Sequence, residues 1–383
     1  MDKFSGMRDA YRGRPCTRLV RAALLLACAA GVRPAAAQAV RTTLLGAGSR
    51  EPVAGAFVVL TDTAGREITR TLTDETGRVM LDVGPGTYRL LVLRIGLARW
   101  RTAAFTLTAA DTVTAPIEAP ETAVLLSEIA VHAERRCRLQ PEEGTGAATL
   151  WEEARKALEA TEWTIDHPVY RFRASRYLRT YGPVADRPTT EERRQSAGYS
   201  AWPFVSLPAE SLAARGFAQP DSQGVVTYYG PDLPVLLSES FLSQHCFRVR
   251  RAEAPLQDSL IGLGFEPVAT GRGRVDIAGV LWLDQRSAEL RELEFRYTNL
   301  GHWADRGATG LVNFERLPNR AWVIRRWSIR MPIPHLGAKP LAAGIPTGLL
   351  DTIGIAGYRE EGGWITVVLS ATGHPIAVYP DEP

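Results

Sequence analysis

The sequence predicts a mainly β chain in which a small β-sandwich precedes an α+β unit, a curved antiparallel sheet carrying one or two helices. Three observations predict it. From Val40 to Ile117 short alternating runs are punctuated by turn residues, with no helical period. A capped helical period opens the second half near Leu150. From Ser259 to Met331 the chain alternates as a meander, and the side facing the core changes near Arg325.

Composition bounds the rest. The 383 residues carry 45 basic and 42 acidic side chains, are 45% hydrophobic, and include 34 Gly and 25 Pro. Such a chain can bury a core, which argues against disorder of the whole, and its length allows more than one domain. Nothing in the charge balance suggests a nucleic-acid partner. Lys occurs only at Lys3, Lys156 and Lys339, so the basic residues are almost all Arg.

The leader comes first. Arg8, Arg12, Arg14, Arg18 and Arg21 precede the apolar run from Ala22 to Val32, and Ala35-Ala36-Ala37-Gln38-Ala39 follows, the three-part pattern of a secretory signal peptide over residues 1–39. The apolar run is too short to span a bilayer, and no later segment reaches that length without charges, so the mature chain is expected to lack a transmembrane segment. Leu25-Leu26-Ala27-Cys28 offers the alternative of a lipoprotein cleavage box, with a lipid anchor at Cys28. The leader holds seven basic and two acidic residues, which leaves residues 40–383 at a net charge of −2. The apparent basicity belongs to the targeting segment. The expected location is the periplasm or the outer membrane.

Removing the leader takes Cys16 and Cys28 with it and leaves Cys137 and Cys246, in an oxidising compartment. A disulfide is the simplest reading; in the chain-entropy model, closing a loop of about 110 residues stabilises by roughly 4 to 5 kcal/mol. Two free thiols, or a zinc site completed by His132 and His245, remain alternatives. The spacings match no short metal-ligand pattern.

The sandwich is expected over residues 40–120. Its runs are Ala56 to Thr61, Glu67 to Thr73, Arg78 to Val83, Thr87 to Ile95 and Arg99 to Leu107. Turns fall at Asp62-Thr63-Ala64-Gly65, Asp74-Glu75-Thr76-Gly77 and Gly84-Pro85-Gly86. Tyr88, Leu90 and Val92 share a strand face and are candidate core.

These residues carry a resemblance. Glu51-Pro52-Val53-Ala54-Gly55-Ala56-Phe57-Val58-Val59-Leu60, then Thr73-Asp74-Glu75-Thr76-Gly77-Arg78, then Gly84-Pro85-Gly86-Thr87-Tyr88-Arg89-Leu90 resemble the carboxypeptidase regulatory-like domain. The resemblance implies a transthyretin-like β-sandwich of the carbohydrate-binding-like fold group. The family takes its name from a non-catalytic module appended to some metallocarboxypeptidases, so it implies no peptidase activity. In bacteria such modules occur on exported and outer-membrane proteins. A linker follows over residues 121–146. Its stretch from Leu125 to Arg135 is similar to the segment that opens the plug of TonB-dependent transporters, but too few residues follow for a large transporter barrel. The simpler reading is a strand leaving the sandwich.

Residues 147–383 are expected to form the α+β unit. Thr149-Leu150-Trp151-Glu152 has the capping-box form, and Leu150, Trp151, Ala154, Ala157, Leu158 and Thr161 recur at three-to-four spacing, which predicts a helix from about Leu150 to Ala160. Glu152 and Lys156 are then four apart and can pair on its wet face. Tyr170, Phe172 and Ala174 alternate with polar residues as a half-exposed strand. Arg187 to Arg194 reads as a loop, and a second helix is expected from Leu233 to Gln244.

In the meander, Val275, Ile277, Leu281 and Leu283 share a face. Leu293, Phe295 and Tyr297 share the next, with Glu292, Glu294 and Arg296 pointing the other way. Trp322 and Ile324 lie on one parity and Trp327, Ile329 and Met331 on the other, which predicts a bulge or a corner-turning strand around Arg325 and Arg326. In outline only, helices on such a sheet resemble the half-barrel of periplasmic lipoprotein carriers.

The search for chemistry returns little. H-E-x-x-H, G-x-S-x-G, Walker, G-x-G-x-x-G and EF-hand patterns are absent from the sequence. His132, His167, His245, His302, His335 and His374 show no local ligand spacing. Asp276, Asp284, Glu292 and Glu294 can form an acid/base pair across strands, but such residues more often form a wet sheet face. Trp282, Trp322 and Trp327 fall on strands and are candidate groove aromatics for a lipid, peptide or glycan; spread through the sheet they would be core. The expectation is an exported, non-enzymatic envelope protein without cofactor, its sandwich a docking, spacer or ligand-binding module for an envelope protein or glycan. A carrier of hydrophobic ligand is the alternative. A hydrolase is a third class, resting on the family name and generic carboxylates.

Overall fold

The computed structural model describes residues 39–108, 112–129, 137, 146–167, 169–199, 204–220, 226–256, 259–268, 274–300, 307–336 and 352–380. Residues 1–38, which hold nearly all of the expected leader with Cys28, lie outside the described residues, as do His132, His302 and most of the linker.

Among the described residues the sandwich shows nine strands. They are β1 (Ala39–Gly46), β2 (Phe57–Asp62), β3 (Glu67–Leu72), β4 (Arg78–Asp82), β5 (Gly86–Leu93), β6 (Trp100–Arg101), β7 (Phe105–Leu107), β8 (Thr112–Val113) and β9 (Ile117–Ala119). One sheet runs β4-β1-β8, with β9 also on β1; the other runs β3-β2-β5-β6, with β7 also on β5. Between them lie Val40, Leu44, Val58, Leu60, Val79, Leu81, Leu90 and Val92, the alternate positions of each strand. Tyr88 joins this core, as its parity with Leu90 and Val92 predicts. The run expected from Arg99 to Leu107 is interrupted, giving β6 and β7.

Strand β2 explains how the sandwich meets the rest of the chain. Its first five residues are all buried, against the alternation of a one-sided strand. Val58 and Leu60 point into the sandwich, whereas Phe57 and Val59, with Leu93 of β5, belong to a second core beneath helix α1 (Gly146–Asp166). Phe57 packs edge-on against Trp163 of α1 at 5.8 Å. Helix α1 is thus covered on both sides, by the sandwich and by the large sheet, and extends beyond the predicted span at both ends.

That double cover corrects one expectation. Lys156 is buried and pairs with Glu153 at 2.6 Å, while Glu152 pairs with Arg155 at 3.0 Å. A helix between two layers has little wet face to offer.

The large sheet contains β10 (Arg171–Tyr181), β11 (Thr190–Gly198), β14 (His245–Arg251), β15 (Leu260–Pro267), β16 (Asp276–Asp284), β17 (Leu290–Thr298), β18 (Thr309–Arg316), β19 (Trp322–Leu336), β20 (Thr352–Leu369) and β21 (Pro375–Val378). Its order is β11-β10-β20-β19-β18-β17-β16-β15-β14, antiparallel throughout, with β21 continuing beside β20. A separate ribbon pairs β12 (Ala218–Pro220) with β13 (Val226–Tyr228). Short helices α2 (Ala209–Arg215), α3 (Leu233–Leu237) and α4 (Glu239–Gln244) pack with α1 on one face of the sheet. Val275, Ile277, Leu281, Leu283, Leu293, Phe295 and Tyr297 all enter that core. The register from Asn313↔Arg326 to Phe314↔Ile324 leaves Arg325 as the extra residue, which is the predicted bulge.

Two further expectations change. The segment read as a loop from Arg187 to Arg194 overlaps β11, an edge strand paired with β10 along its length and exposed on both faces. A strand held by its ladder, by Glu191 on Arg179 (2.8 Å) and by Arg193 over the Trp364 ring leaves no apolar period to read. The helix expected from Leu233 to Gln244 is broken at Ser238, whose backbone is extended. Its hydroxyl accepts from the Phe241 amide and so caps α4. Among the described residues no helix is long and apolar enough to cross a membrane.

Candidate functional site

The face of the large sheet opposite the helices carries arginines, carboxylates and hydroxyls interspersed with Val280, Trp282, Leu311 and Trp364, because alternation sends every second residue of each strand there. Register aligns them in rows. Arg296, Thr309, Arg330 and Glu360 lie directly opposite one another across β17, β18, β19 and β20. Two residues along, Val280, Glu294, Leu311, Ser328 and Gly362 form the next row, ending at Tyr177 of β10. The third runs Trp282, Glu292, Asn313, Arg326, Trp364 and Ser175.

The first two rows border a trough of about 450 Å³ lined by each of seven consecutive strands, from Arg250 on β14 to Glu360 on β20. Seven strands about 4.8 Å apart line one such cavity when the sheet curls around it. Glycine makes room on the same face. A Cβ on Gly262 would lie 2.5 Å from Val280 Cγ1, and one on Gly362 2.5 Å from the ring of Tyr177.

Two chemistries meet on this face, in the trough and at its edge. Glu292 and Glu294 are successive residues of one strand face and share a hydrogen bond; burial, then this bond, pushes the Glu292 carboxyl up to about 7, although Asn313 also donates to it. The Glu292 carboxyl therefore titrates near neutral pH. Beside it stand cationic donors. The Arg330 guanidinium sits 4.8 Å from the Tyr181 ring and 4.5 Å from the Tyr358 ring, and its buried Nε has no hydrogen-bond partner among the described residues. Arg248 and Arg250 share Glu266. Glu360 accepts from the Tyr177 hydroxyl at 2.9 Å, and burial and that carboxylate raise the phenol well above its ordinary range. The arrangement offers donors, acceptors and one mobile proton to a polar ligand.

On the apolar side of the sheet the described residues pack closely around Leu293, Phe295 and Tyr297. Two cavities there are of about 10 Å³ each, one lined by Leu233, Leu236, Leu293 and Val312, the other by Leu212, Phe217 and Phe241. That is scarcely room for one water.

The residues singled out from the sequence fall in different places. A disulfide joins Cys137 and Cys246. His245 takes no part with them; it stacks on Phe241 at 4.1 Å, and its ring nitrogens face the carbonyls of Phe241 (2.8 Å) and Ile277 (3.1 Å), with Asp276 at 3.4 Å. Trp322 and Trp327 are buried in the helix-side core, Trp327 against Phe204 at 5.5 Å. Trp282 is on the opposite face, over Gly262. The three do not share a groove. Of the four carboxylates, Glu292 and Glu294 come together, whereas Asp284 caps the Arg286–Ser287 turn and Asp276 is buried beside Arg274 and His245. His167 stacks on Trp163, and His374 contacts Thr372. Among the described residues no group of three His, Cys, Asp or Glu is placed to hold a metal ion. Arg296, Thr309, Arg330 and Tyr177 were not singled out in the sequence; their signal was the polar half of the alternation that placed the core.

A model of the carboxypeptidase regulatory-like domain matches residues 39–119, so the sandwich is such a domain. Three solved structures are similar in part. A 5-hydroxyisourate hydrolase from Klebsiella pneumoniae is 18% identical, with a TM-score of 0.19 over 22% of this chain and 86% of that one. A LolA superfamily protein from Nitrosomonas europaea is 12% identical, with a TM-score of 0.23 over 59% and 96%. A membrane-associated protein of unknown function from Bacteroides fragilis is 11% identical, with a TM-score of 0.16 over 86% and 95%. No curated protein matches the chain.

Proposed function

We propose that this is an exported, non-catalytic envelope protein whose open sheet face binds a polar, charge-bearing ligand such as an envelope glycan. The observation that carries this reading is the trough itself: a cavity of about 450 Å³ on the face the helices leave open, in which Arg250, Arg296, Arg330, Glu266, Glu294 and Glu360 stand around an apolar floor that includes Val280 and Leu311. The regulatory-like sandwich acts as the docking or spacer module. It is held to the ligand-binding unit through α1, so that a partner engaging the sandwich is presented with the trough in a fixed orientation. The leader pattern supports export, and the pair Cys137–Cys246 suits an oxidising compartment. A carrier of hydrophobic ligand is the second reading: the helix side of the sheet offers about 10 Å³ in each of two places, so such a ligand would lie on the apolar part of the trough, along Val280 and Leu311.

The test has two arms. Fractionation of cells expressing the full chain is expected to give a processed protein in the envelope fraction, and native mass spectrometry of that protein a polar adduct. Recovery from the cytosol, or a lipid-only adduct, contradicts the reading. Peptidase, esterase and glycosidase panels are expected to stay at background with and without zinc.

A further inference from the structure

A second cavity, of about 260 Å³, lies where the sandwich meets the large sheet, between the loop at Arg94–Leu97 and the turns that join β16 to β17 and β18 to β19. Four arginines line it, Arg94, Arg286, Arg316 and Arg320, against one carboxylate, Glu289. That carboxylate is already engaged by Arg316 at 2.6 Å and by Arg291 at 2.9 Å. Arg94, Arg286 and Arg320 form no salt bridge among the described residues, although Glu121 lies near enough to Arg94 to offset part of the repulsion. Arg320 also holds a left-handed backbone (φ 71°), a conformation in which Gly or Asn is the easier residue.

Gathering like charges in a partly buried space is unfavourable unless a counter-charge joins them. Arg94 feels this: burial, then Arg320 and Arg316, lowers its affinity for its proton below the ordinary arginine value. Guanidinium groups present planar, paired donors that match the oxygens of phosphate. We propose that this junction is a binding site for a multiply charged phosphate-bearing small molecule, which bridges Arg94 of the sandwich to Arg286 and Arg320 of the sheet unit. Its position between the two units means that binding also tightens their contact. The site is separate from the trough, which lies on the opposite face of the sheet.

The test uses the mature chain with pyrophosphate and a hexose phosphate as probes, followed by calorimetric titration and thermal melting. Sodium chloride at matched ionic strength is the control. At least one probe is expected to bind saturably and raise the melting temperature beyond the salt control. Arg94→Gln with Arg320→Gln is expected to weaken binding at least tenfold, whereas Arg66→Gln, on an exposed sandwich turn, leaves it unchanged. Arg286→Glu, at an exposed position, provides the same test if the double variant does not fold. A shift that follows ionic strength alone, or equal binding by wild type and the Arg286→Glu or double variant, overturns the proposal.

Discussion

The ammonium of Lys156 lies 2.6 Å from Glu153 Oε1, and both side chains are only 2% exposed. Lys156 also donates to the carbonyls of Arg94 (3.0 Å) and Leu97 (2.9 Å), and Glu153 accepts from the Gly96 amide at 2.8 Å. One ion pair on α1 thus closes the hydrogen bonds of a sandwich loop. Removing one member of such a pair strands the other's charge away from water, which typically costs about 3 to 5 kcal/mol. Lys156→Met is therefore expected to lower the melting temperature steeply, and Glu153→Gln with Lys156→Met to recover part of the loss. Equal melting of wild type and Lys156→Met contradicts the buried pair.

Phe57 tests the apolar part of the same contact. It is buried between the sandwich and α1 against Trp163, so Phe57→Ala is expected to cost about 3 to 5 kcal/mol by chemical denaturation. Met80 lies on a strand of the other sandwich sheet with its side chain exposed, and Met80→Ala is expected to change little.

Cys137 and Cys246 enclose 109 residues of sequence separation. Loss of a native disulfide typically costs about 2 to 5 kcal/mol. Cys137→Ser with Cys246→Ser is expected to melt well below the wild type, and wild type in strong reductant to approach the variant. Labelling of two cysteines in unfolded, unreduced protein would show free thiols instead.

Glu292 predicts a pH dependence. Its carboxyl is pushed from an ordinary 4.5 up to about 7, so across that window the folded state keeps a proton that the unfolded state releases. The stability it contributes is fully present below about pH 4.5 and declines as pH rises toward 7. Glu292→Gln keeps the neutral form at every pH. Thermal melts of both proteins are expected to draw apart with rising pH across this window, in favour of the variant; parallel curves contradict the raised carboxyl.

Local alternation made much of the fold legible. Ile277, Leu281, Leu283, Leu293, Phe295 and Tyr297 announce their core face by period two, and the parity change at Trp322 and Trp327 announces the bulge at Arg325. The sandwich was legible from its turns and its resemblance. What local pattern cannot show is what covers an element. Lys156 looked solvent-facing because spacing along α1 does not tell that a sandwich lies on its other side. Strand β11 was missed because its stability comes from its ladder with β10 and from the contacts of Glu191 and Arg193. The Glu292, Glu294 and Arg296 face was legible as polar, but its meeting with Arg330 and Tyr177 depends on the register of strands far apart in sequence. Trp282, Trp322 and Trp327 needed the sheet's two sides before their separation could be seen.

The central claim is that the open sheet face is the ligand site, and Arg330, held between Tyr181 and Tyr358, is its most direct probe. Native mass spectrometry of wild type and Arg330→Gln, purified in parallel from the same envelope extract, compares adduct occupancy at equal folding. The account predicts a polar adduct on the wild type that falls at least tenfold in the variant. An adduct of equal occupancy on both proteins would contradict it.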